Sequence, residues 1–439
     1  MEAFSILSGI ALVVLAFLPN SGLTSQRKAG VVALGALFAG YGLYVMNQDS
    51  GTWTFPAIIF ALPFVVALEV VRQLREHRRR TAQGQSAPAP APAEPPRPDR
   101  SVAREGPVPS LAQTYDGVFL VGAAVTPGQV LMGSTHEFIA RQFNVVVAEN
   151  EMKPVMLSRR EGQYDFNMAD QLVDWAVKNK LKVRGHTLVW HQQAAPWMFT
   201  KDGKDVSRDV LIARMRAYIH TVVGHFKGRV WAWDVVNEAF APGEPNVETV
   251  GGWRKSDYYR IIGPEFIELA FRFAHEADPD ALLFYNDYST EQPAKRALIL
   301  ELVRDLQKKG VPIHGVGHQT HVYLSSPAVE SLEETIAEVA KLGVRNHVTE
   351  MDVSLRTGWG RPVEDAEEDV LFQLQAERYA KFFQMFVRNR DKIDAVLVWG
   401  LSDEHSWLRP PDAPLLFSEM QPKPAFWAVI DEGLRAKRK

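Results

Sequence analysis

Short apolar runs alternate with amphipathic stretches from about residue 111 to the end of the chain. Eight of these runs have the length of buried strands, and they are Val121–Val125, Val145–Ala148, Lys182–Trp190, Val230–Val236, Ala281–Tyr285, Gly315–Thr320, Val344–Thr349 and Ala395–Leu401. Apolar residues recur at helical spacing in Met168–Asn179, Leu211–Phe226, Gly263–Ala277, Pro293–Lys309, Ser331–Leu342 and Leu371–Asn389. This repeated alternation predicts an α/β fold, a (β/α)8 TIM barrel over residues 111–439, rather than an open doubly wound sheet.

The amino-terminal part of the chain has a different pattern. Three apolar segments open it, at about residues 4–18, 29–46 and 53–71. The second and third are long enough to span a bilayer. The first has no Lys or Arg before its apolar run, which argues against a cleaved signal peptide followed by a helical hairpin. We therefore expect three transmembrane helices in a membrane anchor over residues 1–80, in contact with the lipid bilayer.

Basic residues indicate the orientation of this predicted anchor. Arg27 and Lys28 lie between the first two segments, and five arginines lie within residues 72–80, after the third segment. The turn between the second and third segments carries only Asp49. The positive-inside rule places both basic clusters in the cytoplasm. The sequence thus predicts a multi-pass protein of the cell membrane, with everything after Val71 in the cytoplasm.

A linker separates the predicted anchor from the predicted barrel. Residues 81–110 are rich in proline and alanine, a composition that buries little surface and favours extended polyproline II. Within the anchor, the small residues of Gly35–Gly42 could pack against a helix of another membrane protein. The chain is therefore predicted to have three parts, which are the anchor, the linker and the barrel.

Composition and charge exclude several classes of function. The chain is 46% hydrophobic and 23% charged, and its net charge of −3 gives no reason to expect a nucleic-acid partner. The absence of cysteine excludes disulfides, thiol catalysis and thiolate metal sites. No glycine-rich dinucleotide motif follows the first strand, so no cofactor is expected.

Polar and aromatic residues follow nearly every apolar run. They are Glu149 and Asn150, His186 and Trp190, Asn237 and Glu238, Tyr285 to Asp287, Gln319 and His321, Glu350 and Asp352, and Trp399. In a parallel barrel the carboxyl ends of the strands form one face, which is where active sites of this fold lie. The pattern predicts that these side chains converge on one site.

Two glutamates within this ring are candidates for hydrolytic chemistry. Glu238 ends the motif Trp233–Glu238, and Glu350 lies within Val348–Asp352. A single glutamate after a strand is more often a solvated loop residue or a helix cap. Two carboxylates brought by separate strand ends into one pocket are, however, what hydrolysis of a glycosidic bond requires.

Strand alternation and neighbouring residues separate the histidines expected to be structural from those expected at the site. His318 points away from the face shared by Gln319 and His321, so we expect His318 to be structural, and the same expectation applies to His347. The spacing of His186, His191 and His321 does not exclude a metal site formed by these three residues. Tryptophan is abundant near the strand ends, which favours stacking on sugar rings, and we therefore expect no metal. The tryptophans are Trp190, Trp197, Trp399 and Trp407.

Several motifs in this order resemble glycoside hydrolase family 10, the retaining endo-β-1,4-xylanases on a (β/α)8 barrel. The matching stretches are Glu149–Lys153, Gly185–His191, Trp233–Glu238, Tyr285–Tyr288, Gln319–His321, Thr349–Asp352, Trp399–Gly400 and Ser406–Trp407. The resemblance covers the chain from about residue 112 to its end. It implies an enzyme that hydrolyses β-1,4-xylan or xylo-oligosaccharides by double displacement.

The resemblance also implies roles for individual residues. Glu238 is expected to be the general acid/base, and Asn237 to bond the sugar 2-hydroxyl. Glu350 is expected to be the nucleophile, with His321 keeping its carboxylate charged and Asp352 supporting His321. The expected glycone-binding residues are Glu149, Asn150, Lys153, His186, Trp190, Gln193 and Gln319. Trp399 and Trp407 are expected to form an aromatic lid, and Tyr285 and Asn286 to face the leaving group.

The chain departs from the family pattern in two places. Pro154 stands where many members have tryptophan, and Ser158–Arg160 is unusually basic. The family is also mostly secreted, whereas this chain carries the predicted anchor, and a cytoplasmic barrel would have to act on imported xylo-oligosaccharides. An alternative therefore stays open, in which the barrel is a membrane-tethered glycan-binding protein or a subunit of a membrane assembly.

Overall fold

The computed structural model describes residues 106–131, 133–358, 361–363, 366–408 and 412–438. The predicted anchor over residues 1–80, with its three transmembrane helices, lies outside the described residues, and so do residues 81–105 of the predicted linker. In the part of the chain that the structure describes, none of the helices is both long enough and apolar enough to cross a bilayer.

Eight parallel strands of the described residues close into a barrel. They are β1 (Leu120–Val125), β2 (Val145–Ala148), β3 (Lys182–Trp190), β4 (Ala232–Asn237), β5 (Leu282–Asp287), β6 (Gly315–His318), β7 (Arg345–Ser354) and β8 (Ile393–Val398). Each strand pairs with the next one along the chain, and β8 pairs with β1 to close the ring. A short strand, His321–Tyr323, extends the edge beside β7. The predicted (β/α)8 barrel is confirmed.

Helices connect the strands. In the described residues they are α1 (Leu111–Thr114), α2 (Pro127–Leu131), α3 (Thr135–Gln142), α4 (Pro154–Leu157), α5 (Asn167–Lys178), α6 (Arg208–His225), α7 (Asp257–Ile262), α8 (Glu265–Ala277), α9 (Pro293–Lys308), α10 (Val329–Ala340), α11 (Glu368–Arg388) and α12 (Pro424–Lys437). Local sequence sets several of their starts. The Ser207 side chain accepts a hydrogen bond from the N–H of Val210 at the start of α6, and proline opens α9 and α12. Sequence periodicity predicted six of these helices, which are α5, α6, α8, α9, α10 and α11, and it did not predict the other six.

Side-chain alternation divides the core into two layers. A large hydrophobic cluster joins the outward-facing residues of the strands to the helices. A small cluster, with Ala124, Val147 and Leu397 among its members, lies inside the barrel. The interior also holds a buried ion pair between Arg184 and Asp234. The barrel is therefore filled, and its polar carboxyl end is the open face.

The two histidines expected to be structural are buried away from that face. The His318 ring is bonded through Nδ1 to Thr290 Oγ1 at 2.8 Å and through Nε2 to Asn346 Oδ1 at 2.9 Å. His347 packs on the ring of Phe284, with 4.1 Å between the ring centroids. Burial lowers the pKa of each histidine to about 4, so both are neutral at physiological pH. The expectation for both residues is confirmed.

Candidate active site

The two candidate glutamates share one pocket at the carboxyl end of the barrel. Glu238 directly follows β4 and Glu350 lies in β7, and the two residues are only 9% and 5% exposed. Asn286 Nδ2 donates to Glu350 Oε1 at 2.8 Å and to Asn237 Oδ1 at 2.9 Å. Asn237 Nδ2 in turn donates to Glu238 Oε1 at 3.2 Å. The side-chain amides of Asn237 and Asn286 thus connect the two carboxyl groups through hydrogen bonds.

Glu238 receives hydrogen bonds from neutral donors. Trp190 Nε1 donates to Glu238 Oε2 at 2.9 Å. Gln319 Nε2 donates to Glu238 Oε1 at 2.9 Å and to Asn237 Oδ1 at 3.2 Å. These contacts hold the carboxyl group in one orientation without placing a cation against it.

The backbone of Glu238 is itself in a conformation that side chains rarely adopt. Its φ angle is +58°, in the left-handed region. Such a residue costs roughly 1–3 kcal/mol and persists only where its surroundings hold it. The Glu238 N–H donates to the carbonyl of Asn286 at 2.9 Å, which ties the turn after β4 to β5. This turn directs the carboxyl group into the pocket.

Glu350 is held by a charged partner. His321 Nε2 lies 3.3 Å from Glu350 Oε2, and His321 Nδ1 lies 2.8 Å from Asp352 Oδ2. Burial lowers the pKa of His321, but the two carboxylates outweigh it and raise this pKa to about 10. The ring is therefore an imidazolium that donates through both nitrogens.

The imidazolium controls the ionisation of Glu350. Burial raises the pKa of this carboxyl group, as it does for any buried acid. The hydrogen bond from His321 and the electrostatic effects of His186 and His321 outweigh burial, so the pKa of Glu350 lies below its ordinary value. Glu350 is thus an ionised, desolvated carboxylate at neutral pH.

Asn286 is fixed by its neighbours in β6 and β7. The Thr349 hydroxyl donates to Asn286 Oδ1 at 2.7 Å, which orients the amide so that Nδ2 faces Glu350. Gly317 makes room for this amide, since a Cβ at that position would lie 2.2 Å from Asn286 Oδ1. Asn286 is completely buried, so it supports the glutamates rather than forming an exposed wall of the site.

Residues after β2 form a second polar group beside the glutamates. Lys153 Nζ donates to Asn150 Oδ1 at 3.0 Å, and Asn150 Nδ2 donates to Glu149 Oε1 at 3.4 Å. The Lys153 ammonium also lies 5.3 Å from the centre of the Trp190 ring. Burial lowers the pKa of Lys153, against the opposing effect of Glu350 and neighbouring acids. Burial likewise raises the pKa of Glu149.

Aromatic rings stand over the pocket. Trp399 packs edge-on against the His186 ring, with 5.3 Å between ring centroids, and His186 Nδ1 lies 3.0 Å from Asp234 Oδ2. Trp407 is 45% exposed, and its Nε1 donates to Asp352 Oδ2 at 2.8 Å. Packing against His186 therefore positions Trp399, and a hydrogen bond holds Trp407 while nearly half of its surface stays open to solvent.

One of the expected binding residues, Tyr285, lies elsewhere than the resemblance implied. Tyr285 is fully buried on the helix side of β5, where its hydroxyl donates to Asp287 Oδ2 at 2.5 Å. It does not line the pocket, because Asn286 takes the inward position of the strand and alternation turns Tyr285 outward. The Gln193 side chain is exposed, and the main-chain carbonyl of Gln193 accepts the N–H of Val155 in α4.

The histidines considered for a metal site have separate partners. His186 contacts Asp234, and His321 contacts Glu350 and Asp352. Burial lowers the pKa of His191 to about 3, so that ring is neutral. Across the described ranges, no group of three His, Cys, Asp or Glu side chains is arranged to hold a metal ion.

Sequence reasoning missed several residues that support the site. Asp234 pairs with Arg184 and His186 inside the barrel, and Thr349 orients Asn286. Asp234 and Thr349 both lie within the recognised motifs, and alternation puts Asp234 on the face of Glu238. Thr349 directly precedes Glu350, and both reach Asn286 because the register of β7 is irregular between Val348 and Met351. Arg254, whose Nε donates to the Glu238 carbonyl at 3.0 Å, lies in a loop that carries no signal of this contact.

Known proteins share this arrangement of strands over most of the chain. The family model "Glycosyl hydrolase family 10" matches residues 110–432. Endo-1,4-β-xylanase A of Caldicellulosiruptor sp. is 43% identical over 339 residues, which cover 75% of this chain and 48% of the relative. This chain therefore spans about half the length of that relative.

Two solved structures are similar over almost their full length. Xylanase B from Clostridium stercorarium has a TM-score of 0.70 and 41% identity, covering 74% of this chain and 100% of that chain. The intracellular xylanase TsXylA of Thermoanaerobacterium saccharolyticum, a mutant in complex with xylotetraose, has a TM-score of 0.68 and 38% identity. It covers 73% of this chain and 98% of its own. The predicted enzyme class, a glycoside hydrolase with endo-1,4-β-xylanases as relatives, is confirmed, and this chain belongs to glycosyl hydrolase family 10.

Proposed function

We propose that this protein is a retaining endo-β-1,4-xylanase that hydrolyses xylan or xylo-oligosaccharides by double displacement. One observation carries the proposal. Glu238, whose carboxyl group receives hydrogen bonds from neutral donors, is connected through Asn237 and Asn286 to Glu350, whose carboxylate lies beside the His321 imidazolium. A retaining glycosidase needs one proton-donating and one ionised carboxyl group in the same pocket. The xylanases among its relatives supply the substrate class.

In the first step, Glu238 donates its proton to the glycosidic oxygen as the bond from that oxygen to the anomeric carbon breaks. A Glu350 oxygen attacks the anomeric carbon from the opposite face and forms a glycosyl-enzyme ester. His321 keeps Glu350 ionised until substrate arrives. The amide of Asn237 faces the 2-hydroxyl of the sugar, where a hydrogen bond strengthens in the transition state.

In the second step, the Glu238 carboxylate takes a proton from water as the water oxygen attacks the anomeric carbon. The bond to Glu350 breaks, and its carboxylate returns to the hydrogen bonds from Asn286 and His321. Two inversions at the same carbon leave the product with the β configuration of the substrate.

The substrate is held by the remaining polar and aromatic residues. Glu149, Asn150 and Lys153 bind hydroxyls of the glycone sugars, with Gln193 farther out on the exposed loop. His186, Trp190 and Gln319 border the sugar at the cleavage site. Trp399 and Trp407 cover the sugar rings with their apolar faces. Pro154, which departs from the family pattern, directly follows the glycone-binding residue Lys153, and the exposed residues Arg159 and Arg160 come shortly after it. We therefore expect this enzyme to differ from its relatives in its preference for sugars at the distal glycone positions.

Product analysis of the full chain tests this function. The substrates are xylan, linear xylo-oligosaccharides and a cellulosic control, and NMR follows the anomeric configuration of the first product. Release of β-configured xylo-oligosaccharides is the expected result. An α-configured first product would refute the retaining mechanism, and no cleavage of any substrate would favour the glycan-binding or assembly-subunit alternative.

We further propose that residues 1–80 anchor the enzyme in the cell membrane and leave the barrel in the cytoplasm. The three apolar segments and the basic residues beside them support this topology. The intracellular location named for TsXylA is compatible with it. The substrates would then be imported xylo-oligosaccharides, because polymeric xylan does not cross a membrane. Protease added to spheroplasts should leave the barrel intact, and cleavage from the outer side would refute this orientation.

A further inference from the structure

We propose that Arg254 is a positioning residue for the acid/base, holding the left-handed backbone of Glu238 so that its carboxyl group meets the glycosidic oxygen. The inference rests on the proposed function of Glu238 and adds a residue to it. Arg254 lies at the end of a hairpin whose strands are Thr249–Val250 and Trp253–Arg254. This hairpin is in the connection between β4 and α7.

The hairpin is bonded to the segment that directly follows Glu238. The Arg254 N–H donates to the carbonyl of Ala239 at 2.8 Å, and the Ala241 N–H donates to the carbonyl of Gly252 at 2.9 Å. The rings of Phe240 and Trp253 pack together with 4.8 Å between their centroids. The main chain at Arg254 is therefore fixed relative to the turn that carries Glu238.

The Arg254 side chain reaches from this hairpin to Glu238 itself. Its Nε donates to the Glu238 carbonyl at 3.0 Å, and its Nη2 donates to the Tyr288 hydroxyl at 2.7 Å. The side chain is only 11% exposed. A planar guanidinium with donors on two edges fits this task, because it spans a backbone oxygen and a phenol at fixed angles.

A chain of buried and half-buried contacts continues from Arg254 and returns to the residue after Glu238. Tyr288 donates to Glu244, and Lys295 Nζ lies 3.2 Å from Glu244 Oε1 and 3.1 Å from Asp287 Oδ1. The circuit then closes through Tyr285. Its hydroxyl donates to Asp287 and accepts the N–H of Ala239 at 3.1 Å.

This circuit holds the Glu238 turn from two sides. Arg254 binds the Glu238 carbonyl, while the Tyr285 hydroxyl binds the next N–H along the chain. Its two cations, Arg254 and Lys295, are balanced by the carboxylates of Glu244 and Asp287. The circuit therefore acts on the geometry of Glu238 rather than by adding net charge. Proton transfer depends on this geometry, because the donor must lie within hydrogen-bond distance of the leaving oxygen.

The test compares two substrates that differ in their need for an acid. Xylotetraose has a poor leaving group that must be protonated, whereas 2,4-dinitrophenyl β-xylobioside has a leaving group that departs as an anion. In the full-chain protein, Arg254→Met should lower kcat/KM for xylotetraose about 10- to 100-fold. It should change kcat/KM for the dinitrophenyl substrate by less than about threefold, because that value reports only the steps up to glycosylation. Added azide should raise kcat for the dinitrophenyl substrate.

Two further variants are measured in the same way, with Arg254→Lys as a milder substitution and Arg214→Met as a control. Lysine keeps one donor, so Arg254→Lys should show the same selective loss to a smaller extent, and it decides the question if the methionine variant does not fold. Arg214 is a matched control, since it is buried and donates to main-chain carbonyls such as those of Trp197 and Met198, and none of its hydrogen bonds reaches the Glu238 turn. Arg214→Met should lower Tm and leave the ratio of the two kcat/KM values unchanged.

The outcomes separate this inference from the proposed function. Equal losses on both substrates in both Arg254 variants, or no loss on either substrate, would overturn the positioning role. Failure of the wild-type protein to cleave either substrate would instead contradict the proposed function. A selective loss on xylotetraose that Arg214→Met does not share would establish Arg254 as a positioning residue.

Discussion

The surroundings of Glu238 and Glu350 differ in charge although the two residues are chemically identical. Glu238 receives its hydrogen bonds from two side-chain amides and an indole. Glu350 receives one from the amide of Asn286 and one from the His321 imidazolium. Both carboxyl groups are nearly buried, so exposure does not separate them. The charge of the groups that donate hydrogen bonds to each carboxyl group does.

This difference supports the two different roles proposed for Glu238 and Glu350. A cation fixed beside a buried carboxyl group favours its ionised form, which suits a nucleophile. Neutral donors orient a carboxyl group without adding a positive charge that would oppose its protonation. The assignment of Glu350 as nucleophile and Glu238 as acid/base therefore rests on the groups that hydrogen-bond to each carboxyl group, and substitutions can test it.

The largest expected effect is that of Glu350→Gln. The amide cannot form the glycosyl-enzyme, so kcat should fall by about 10⁴-fold or more on natural and activated substrates alike. Steady-state kinetics on xylotetraose and 2,4-dinitrophenyl β-xylobioside measure it, and binding of xylotetraose by calorimetry should persist. Substantial activity in a preparation free of wild-type enzyme would refute the nucleophile assignment.

Glu238→Gln should have the next largest effect, and it should depend on the substrate. Loss of the acid should lower kcat/KM for xylotetraose about 10²- to 10⁴-fold. Glycosylation by the dinitrophenyl substrate should survive, and azide should trap the intermediate as a β-glycosyl azide, identified by NMR. If Glu350→Gln rather than Glu238→Gln gave this product, the two assignments would have to be exchanged.

Sequence periodicity was sufficient to predict the barrel and the pocket. Eight apolar runs and the rule that active sites lie at carboxyl ends place Glu238 and Glu350 on one face, and the structure has them there. Alternation along β5 also argues against the expectation, taken from the motif match, that Tyr285 and Asn286 both face the leaving group. Neighbouring residues of a strand face opposite ways, so Asn286 and Tyr285 could not both line the pocket.

The supporting contacts could not be predicted in the same way. Arg254 meets Glu238 because a hairpin folds back after β4, and its contact is with a main-chain oxygen that any residue would offer. Lys295 belongs to α9 and contacts Glu244 in the connection that follows β4. Such contacts depend on loop paths, which have no periodicity, so they become visible only in three dimensions.

His321→Gln should have an intermediate effect and sharpen the comparison. Glutamine removes the cation, so kcat/KM at neutral pH should fall about 10- to 100-fold, as for loss of a hydrogen bond to a charged group. Without the cation the pKa of Glu350 rises, so the acidic limb of the pH profile should move to higher pH. An unmoved acidic limb would show that His321 does not control the ionisation of Glu350.

The same variant should show a pH-dependent loss of stability. The pKa of His321 is about 10 in the folded protein, above its ordinary value of 6.5. A raised pKa of a cation stabilises the fold fully below the ordinary value, and this contribution disappears as pH rises through about 10. The difference in the free energy of unfolding between wild type and His321→Gln should therefore be largest below pH 6.5 and shrink towards pH 10. Denaturant titrations at several pH values measure it.

Trp407→Phe should have the smallest effect, because Trp407 acts on Glu350 only through Asp352 and His321. Phenylalanine keeps an aromatic face for the sugar and removes the indole N–H, which donates to Asp352 Oδ2 at 2.8 Å. A hydrogen bond from a neutral, half-exposed donor to a carboxylate contributes roughly 1.5 kcal/mol, so kcat/KM should fall about tenfold or less. The acidic limb should move in the same direction as in His321→Gln, by less. Trp407→Ala should also raise KM for xylotetraose, and an equal KM in both variants would show that the ring does not bind sugar.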